Sequence, residues 1–162
     1  MIVCISVVVC FVVFAFGLYT SESIYRFFHP YLDRQIAGAT TVPSDWLEIT
    51  LQEPLRAERV VQQVVLYVDK PVTHPRDSWE LIFPDGSKVI PEVQLLDQDG
   101  KVYNLTDPTT VTKSGSSESF QRGFGGRQLP SDKTYRTVRI RSDRPFKVLK
   151  IVWRCYDPRD IG

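Results

Sequence analysis

The chain is short of the residues that do covalent and metal chemistry. Its 162 residues hold two histidines, three cysteines and one methionine. Cys4 and Cys10 fall inside an apolar N-terminal run, which leaves Cys155 alone in the remainder. A tetrahedral zinc site needs closely spaced His or Cys ligands, and neither Cys-x-x-Cys nor His-x-x-x-His occurs. An intradomain disulfide lacks its second cysteine, so cysteine use does not report the compartment. His74 sits in Pro71-Val-Thr-His-Pro75, where prolines on both sides make a loop. Pairing of His74 with Cys155 as a nucleophilic couple has no supporting pattern. The expectation is therefore a chain with no catalytic residues, no metal and no cofactor, and an enzyme ranks last among the functional readings.

An excess of one charge is also missing. Net charge is +1, lower than nucleic-acid binding usually requires. The charge is unevenly placed. Pro43 to Gln121 carries 7 Lys and Arg against 13 Asp and Glu, whereas Arg122 to Gly162 carries 11 against 4. Two such parts either neutralise each other within one domain or show opposite faces to solvent.

Charge is absent altogether from Met1 to Ser21, and Ile2 to Leu18 is almost wholly Val, Ile, Phe, Leu and Ala. At ~1.5 Å per residue, about 20 such residues cross a hydrocarbon core of ~30 Å. Residues 1–20 are read as a single-pass transmembrane anchor, with a cleaved signal peptide ending near Ala15-Phe16-Gly17 as the alternative. Residues 21–42 are read as an amphipathic juxtamembrane segment and linker. Ile24, Phe27, Phe28, Tyr31, Leu32 and Ile36 make a helical stripe, kinked at Pro30. Tyr19, Tyr25, Phe27, Phe28 and Tyr31 are the expected membrane-interface residues, with membrane lipid as the partner. A simple continuation of the anchor, or a stripe packed on the domain, are the competing readings. Arg26 and Arg34 point to a cytoplasmic domain, and the domain type to an extracytoplasmic one.

From residue 43 to 162 the hydrophobic period becomes two. Leu47, Ile49 and Leu51 alternate with Glu48, Thr50 and Gln52, and residues 60–68 form an almost continuous β-branched run. Pro84-Asp-Gly-Ser87, Asp97-Gln-Asp-Gly100 and Ser142-Asp-Arg-Pro145 are turn signals between strands. Seven or eight strands with no helical interruption predict an all-β fold, an antiparallel β-sandwich or jelly roll. On the last two strands, Val138 and Ile140 share one face, and Leu149, Ile151 and Trp153 another. Arg139, Arg141, Lys150 and Arg154 lie opposite, as a basic stripe on one hairpin. The competing reading is a wet face neutralised by Glu48 or other acidic strand residues.

Tyr135-Arg-Thr-Val-Arg-Ile-Arg-Ser142, followed by Val148-Leu-Lys-Ile-Val-Trp153, resembles the closing strands of galactose-binding-like (discoidin-like) jelly-roll domains. The resemblance is confined to these strands. It implies a non-catalytic domain that binds glycans, lipid headgroups or proteins through loops at one end. The chain departs from the family in lacking a cysteine pair that links the domain's ends, and no recognition residue carries over.

The long Ser/Gly-rich stretch from Lys113 to Arg127 is read as a loop. Aromatics stack on sugar rings and Arg holds anions, so Phe120, Arg122, Phe124 and Arg127 become candidate ligand-binding residues, with Arg139 and Arg141. The competing reading has both Phe side chains plugging the sandwich end. Asp97 and Asp99 are explained by turn geometry ahead of calcium, and Asn104-Leu-Thr106 is a glycosylation sequon. Three functions follow as expectations. The first is a membrane-tethered β-sandwich that binds a glycan or other surface ligand. The second is a structural accessory subunit of a membrane protein complex, and the third is an enzyme.

Overall fold

The computed structural model describes residues 31–57, 61–69, 80–106, 119–125 and 129–157. The expected anchor, Tyr19, Tyr25, Phe27 and Phe28, together with His74 and Arg127, lie outside the described residues. Every described element is a strand: β1 (Tyr31–Ala37), β2 (Thr40–Val42), β3 (Leu47–Arg56), β4 (Val61–Asp69), β5 (Leu81–Ile82), β6 (Lys88–Val89), β7 (Pro91–Asp97), β8 (Val102–Asn104), β9 (Ser119–Gly125), β10 (Thr134–Ser142), β11 (Phe146–Val148) and β12 (Lys150–Tyr156). Among the described residues, no helix is long and apolar enough to cross a membrane.

The described residues form an antiparallel all-β sandwich. One four-stranded sheet runs β1-β12-β4-β9 and the other β3-β10-β7-β8. Their pairing is nested: β1 with β12, β3 with β10, β4 with β9, and β7 with β8. The alternating side chains of both sheets meet in one core. Val64, Leu66, Ile151 and Phe124 come from the first sheet, and Leu55, Leu95, Val138 and Ile140 from the second. Between the sheets, the Trp153 indole N–H donates to the Arg56 carbonyl at 3.3 Å, the partner a buried Trp requires. Arg34 of β1 donates to the Glu53 carbonyl of β3 at 2.8 Å.

The turn signals hold. Asp85 accepts from the Ser87 N–H at 2.9 Å, and Asp97 from the N–H groups of Asp99 and Lys101, both at 2.9 Å. Gly86 and Gly100 take φ of 80° and 78°, angles at which a Cβ is strained.

Three expectations are corrected. First, residues 31–42 are neither helix nor linker, because they form β1 and β2. Pro30 cannot continue a helical ladder. Leu32, Arg34 and Ile36 also alternate with Asp33 and Gln35, and that period lets Leu32 and Ile36 pack on the sandwich core. Tyr31 is the first residue of β1, opposite Tyr156. Second, residues 119–125 are not loop. They form β9, the edge strand beside β4. Third, the two closing strands are not one hairpin. β10 and β12 belong to different sheets, and the chain crosses between them through β11, which pairs with β2. Leu149 consequently leaves the inward face and is 41% exposed.

Candidate functional site

The crossover splits the expected basic stripe. Lys150 and Arg154 stay on β12, whereas Arg139 and Arg141 lie on β10 in the other sheet. On β12, Arg154 is 5% exposed. It donates to Asp33 of β1 at 2.7 and 2.6 Å, to the Gln121 side-chain oxygen at 3.1 Å and to the Tyr67 hydroxyl at 2.9 Å. Burial alone would lower its pKa, but the Asp33 carboxylate and Tyr67 outweigh burial and raise it. This guanidinium is a strap between strands and has no surface to offer. Lys150 lies 4.2 Å from the centre of the Tyr67 ring, a cation–π contact.

Arg122 and Phe124 on β9 are also buried. Phe124 faces Val64 and is fully buried in the core. Arg122 faces Leu66 on the same inward side and is 2% exposed. Burial pushes its guanidinium below the ordinary value. A ligand could reach either side chain only if β9 left the sheet. Phe120 pairs with Val68 on this strand.

Arg139 and Arg141 have different surroundings. They alternate with the buried Val138 and Ile140, so they emerge on the outer face of β3-β10-β7-β8. Register places Arg139 between Glu48 of β3 and Gln94 of β7, and Gln94 beside Asn104 of β8. Arg139 pairs with Glu48, and the Gln94 side-chain amide donates to the Asn104 side-chain oxygen at 2.8 Å. Four polar side chains from four adjacent strands therefore form a row. In the next row toward the start of β3, Arg141 donates to Glu92 at 2.8 Å. Its Cζ also lies 4.6 Å from the centre of the Trp46 ring. A planar cation held by an aromatic face and a carboxylate is preorganised. The Nε atoms of Arg139 and Arg141 are shielded from water without a hydrogen-bond partner, so only the terminal guanidinium nitrogens are left to meet a ligand.

The β7 and β8 ends of the two rows open onto a groove of about 360 Å³. Glu92, Gln94 and Asn104 belong to both the rows and the groove, whose further wall includes Ile90 and Thr106. Ile90 is 42% exposed. Small-ligand sites pair such an apolar rim with a few convergent polar groups. Among the described residues, no three His, Cys, Asp or Glu side chains gather as a metal-ligand set.

Chain direction places this site. β1 starts with Tyr31 opposite Tyr156, and Trp153 and Cys155 of β12 donate to the Arg56 carbonyl, at the pole where β3 ends and β10 begins. Trp46, Arg141 and Glu92 lie at the start of β3, the end of β10 and the start of β7. They occupy the half of the sandwich remote from residue 31.

Of the six residues proposed as ligand-binding from sequence, Arg139 and Arg141 alone are shown on one exposed face. Sequence reasoning missed Trp46, Glu92 and Gln94 as their companions. A usable signal existed: Glu92 and Gln94 alternate with Val93 and Leu95, as Arg139 and Arg141 do with Val138 and Ile140. Pairing two such strands puts the acids and amides beside the arginines. Family models, curated proteins and solved structures offer no match to this chain.

Proposed function

We propose that the chain is a membrane-tethered, non-catalytic jelly-roll module that binds a glycan on the outer face of β3-β10-β7-β8. The nested strand pairing suits a jelly roll, which two Greek keys wind from eight strands. The carrying observation is the pair of polar rows. Glu48, Arg139, Gln94 and Asn104 form one row and Trp46, Arg141 and Glu92 the next, and Glu92, Gln94 and Asn104 line the groove beside them. Fixed planar donors and acceptors of this kind match ring hydroxyls, each of which both donates and accepts. The apolar run of residues 2–18 supports the tether, and the site's distance from residue 31 would leave it clear of a membrane.

The test is binding of the full chain, in mild detergent, to a printed glycan array, beside the Arg139→Ala, Arg141→Ala double variant. The expected result is a retained glycan that the double variant loses while its melting temperature stays close to the parent's. Retained binding in the double variant, with loss in Arg127→Ala, would move the site to the β9–β10 connection. Absence of any retained glycan would remove the proposal.

A further inference from the structure

Resting on that glycan reading, we infer that the ligand is a neutral oligosaccharide, and that the same side chains turn polyanions away. Arg139 and Arg141 contribute two positive charges and Glu48 and Glu92 two negative ones, each guanidinium contacting one carboxylate. The formal charge of the array is zero. Exposure decides which sign an incoming ligand meets. The Glu48 and Glu92 side chains are 50% and 52% exposed, against 30% and 41% for Arg139 and Arg141. In both pairs the carboxylate side chain is fractionally the more exposed partner.

A sulfate or uronate would therefore meet like charge before it reached either guanidinium. To bind, it would have to displace the carboxylate already there, exchanging one charge-assisted contact for another. Neutral vicinal hydroxyls avoid that exchange. One hydroxyl donates to the carboxylate while its neighbour accepts from the guanidinium, and the ion pair stays intact. Gln94 and Asn104 extend the pattern with side-chain amides that donate and accept. Four adjacent strands at ~4.8 Å spacing make the row about 14 Å long, more than one sugar ring. Ile90, at the groove wall, offers apolar surface to a ring face.

The experiment is titration of the full chain in mild detergent with maltohexaose, cellohexaose, heparin and polygalacturonate, beside the printed array. Each is run at low salt and at about 0.5 M NaCl, where exposed charges are largely screened. A neutral oligosaccharide should bind equally at both salts, and heparin and polygalacturonate should not bind. Arg139→Gln should weaken neutral binding about tenfold, the loss of one strong hydrogen-bonding group. Asn104→Ala, at an exposed edge-strand position, should weaken it less. Glu48→Gln combined with Glu92→Gln should admit heparin in a salt-sensitive way. Salt-sensitive heparin binding by the unmodified chain, without neutral binding, would overturn the ligand class and leave a glycan site standing. No glycan binding would overturn both. So would a concentration-dependent dimer that Glu92→Lys disperses, since a second copy would then occupy the face.

Discussion

Asp33 on β1 and Arg154 on β12 face each other through two hydrogen bonds, at 2.7 and 2.6 Å. The arginine side chain is 6% exposed and the aspartate 37%. The pair fastens the first strand, which leads out of the apolar N-terminal part, onto the centre of its sheet. Arg34, one residue on, reaches the backbone of β3 in the other sheet. β1 is thus held to both layers and belongs to the domain.

That pair should couple more strongly than a surface ion pair. Geometry is bidentate and one partner is buried, which favours the bond, but the exposed side of Asp33 lets water compete. A double-mutant cycle with Asp33→Asn and Arg154→Met is expected to give about 2 kcal/mol, in the range for hydrogen bonds to charged groups. The exposed Lys88–Glu80 pair, at 3.3 Å, should give under about 1 kcal/mol in the same urea-unfolding assay. Equal couplings would mean that β1 is not fixed by this contact.

Phe124→Ala should be severely destabilising. Its ring is fully buried against Val64 in the common core. Removing a buried Phe costs about 3–5 kcal/mol through lost transfer energy and the cavity left behind. Urea unfolding measures it directly. A change under about 1 kcal/mol would indicate a surface residue, as the ligand-binding reading of Phe124 expected.

The contrast between Phe124 and Val64 shows where sequence reasoning works. Val64 sits in a β-branched run whose only sensible home is a central strand, and β4 is one. Phe124 sits in Gly123-Phe-Gly-Gly126, where glycines mask the strand signal although they allow the extended backbone beside β4. Leu32 and Ile36 illustrate a second failure. They satisfy a helical stripe and a strand alternation equally, and only the partner strand β12 decides between them. The candidate site was half legible for a related reason. Alternation alone exposes Arg139 and Arg141, but their neighbours depend on which strands lie either side of β10. Non-local pairing of β3 and β7 supplies that answer, and no local pattern encodes it.

Stability should fall on acidification through the Asp97 turn. Burial by itself raises the carboxyl's pKa. The N–H groups of Lys101 and Asp99, the Tyr103 hydroxyl and the Lys133 charge together bring it below the ordinary 3.8. The fold thus favours the ionised form, so its contribution is complete above about pH 4 and is lost as pH falls through the lowered folded value. Melting temperatures of the parent and Asp97→Asn should differ most near neutral pH and converge in acid. A gap that widened in acid would contradict the hydrogen-bonded carboxylate.

Tyr135 sets the opposite, alkaline limit. Burial, followed by the nearby Tyr103, Asp97 and Asp132, pushes its hydroxyl from 10.0 up to about 12. The residue is fully buried, its hydroxyl donates to the Pro130 carbonyl at 3.3 Å, and its ring meets Tyr103 edge-on at 5.5 Å. Because the folded value lies above the unfolded one, the fold favours the neutral phenol. Its contribution is complete below about pH 10 and disappears as pH rises through about 12. Absorbance at ~295 nm follows phenolate formation among the seven tyrosines. After a rapid jump to about pH 11, one tyrosine more should remain neutral in the parent than in Tyr135→Phe, until slow unfolding exposes it. If the parent ionises all its tyrosines within the mixing time, the β10 end of the core is open to water and the packing of Tyr135 against Tyr103 is wrong.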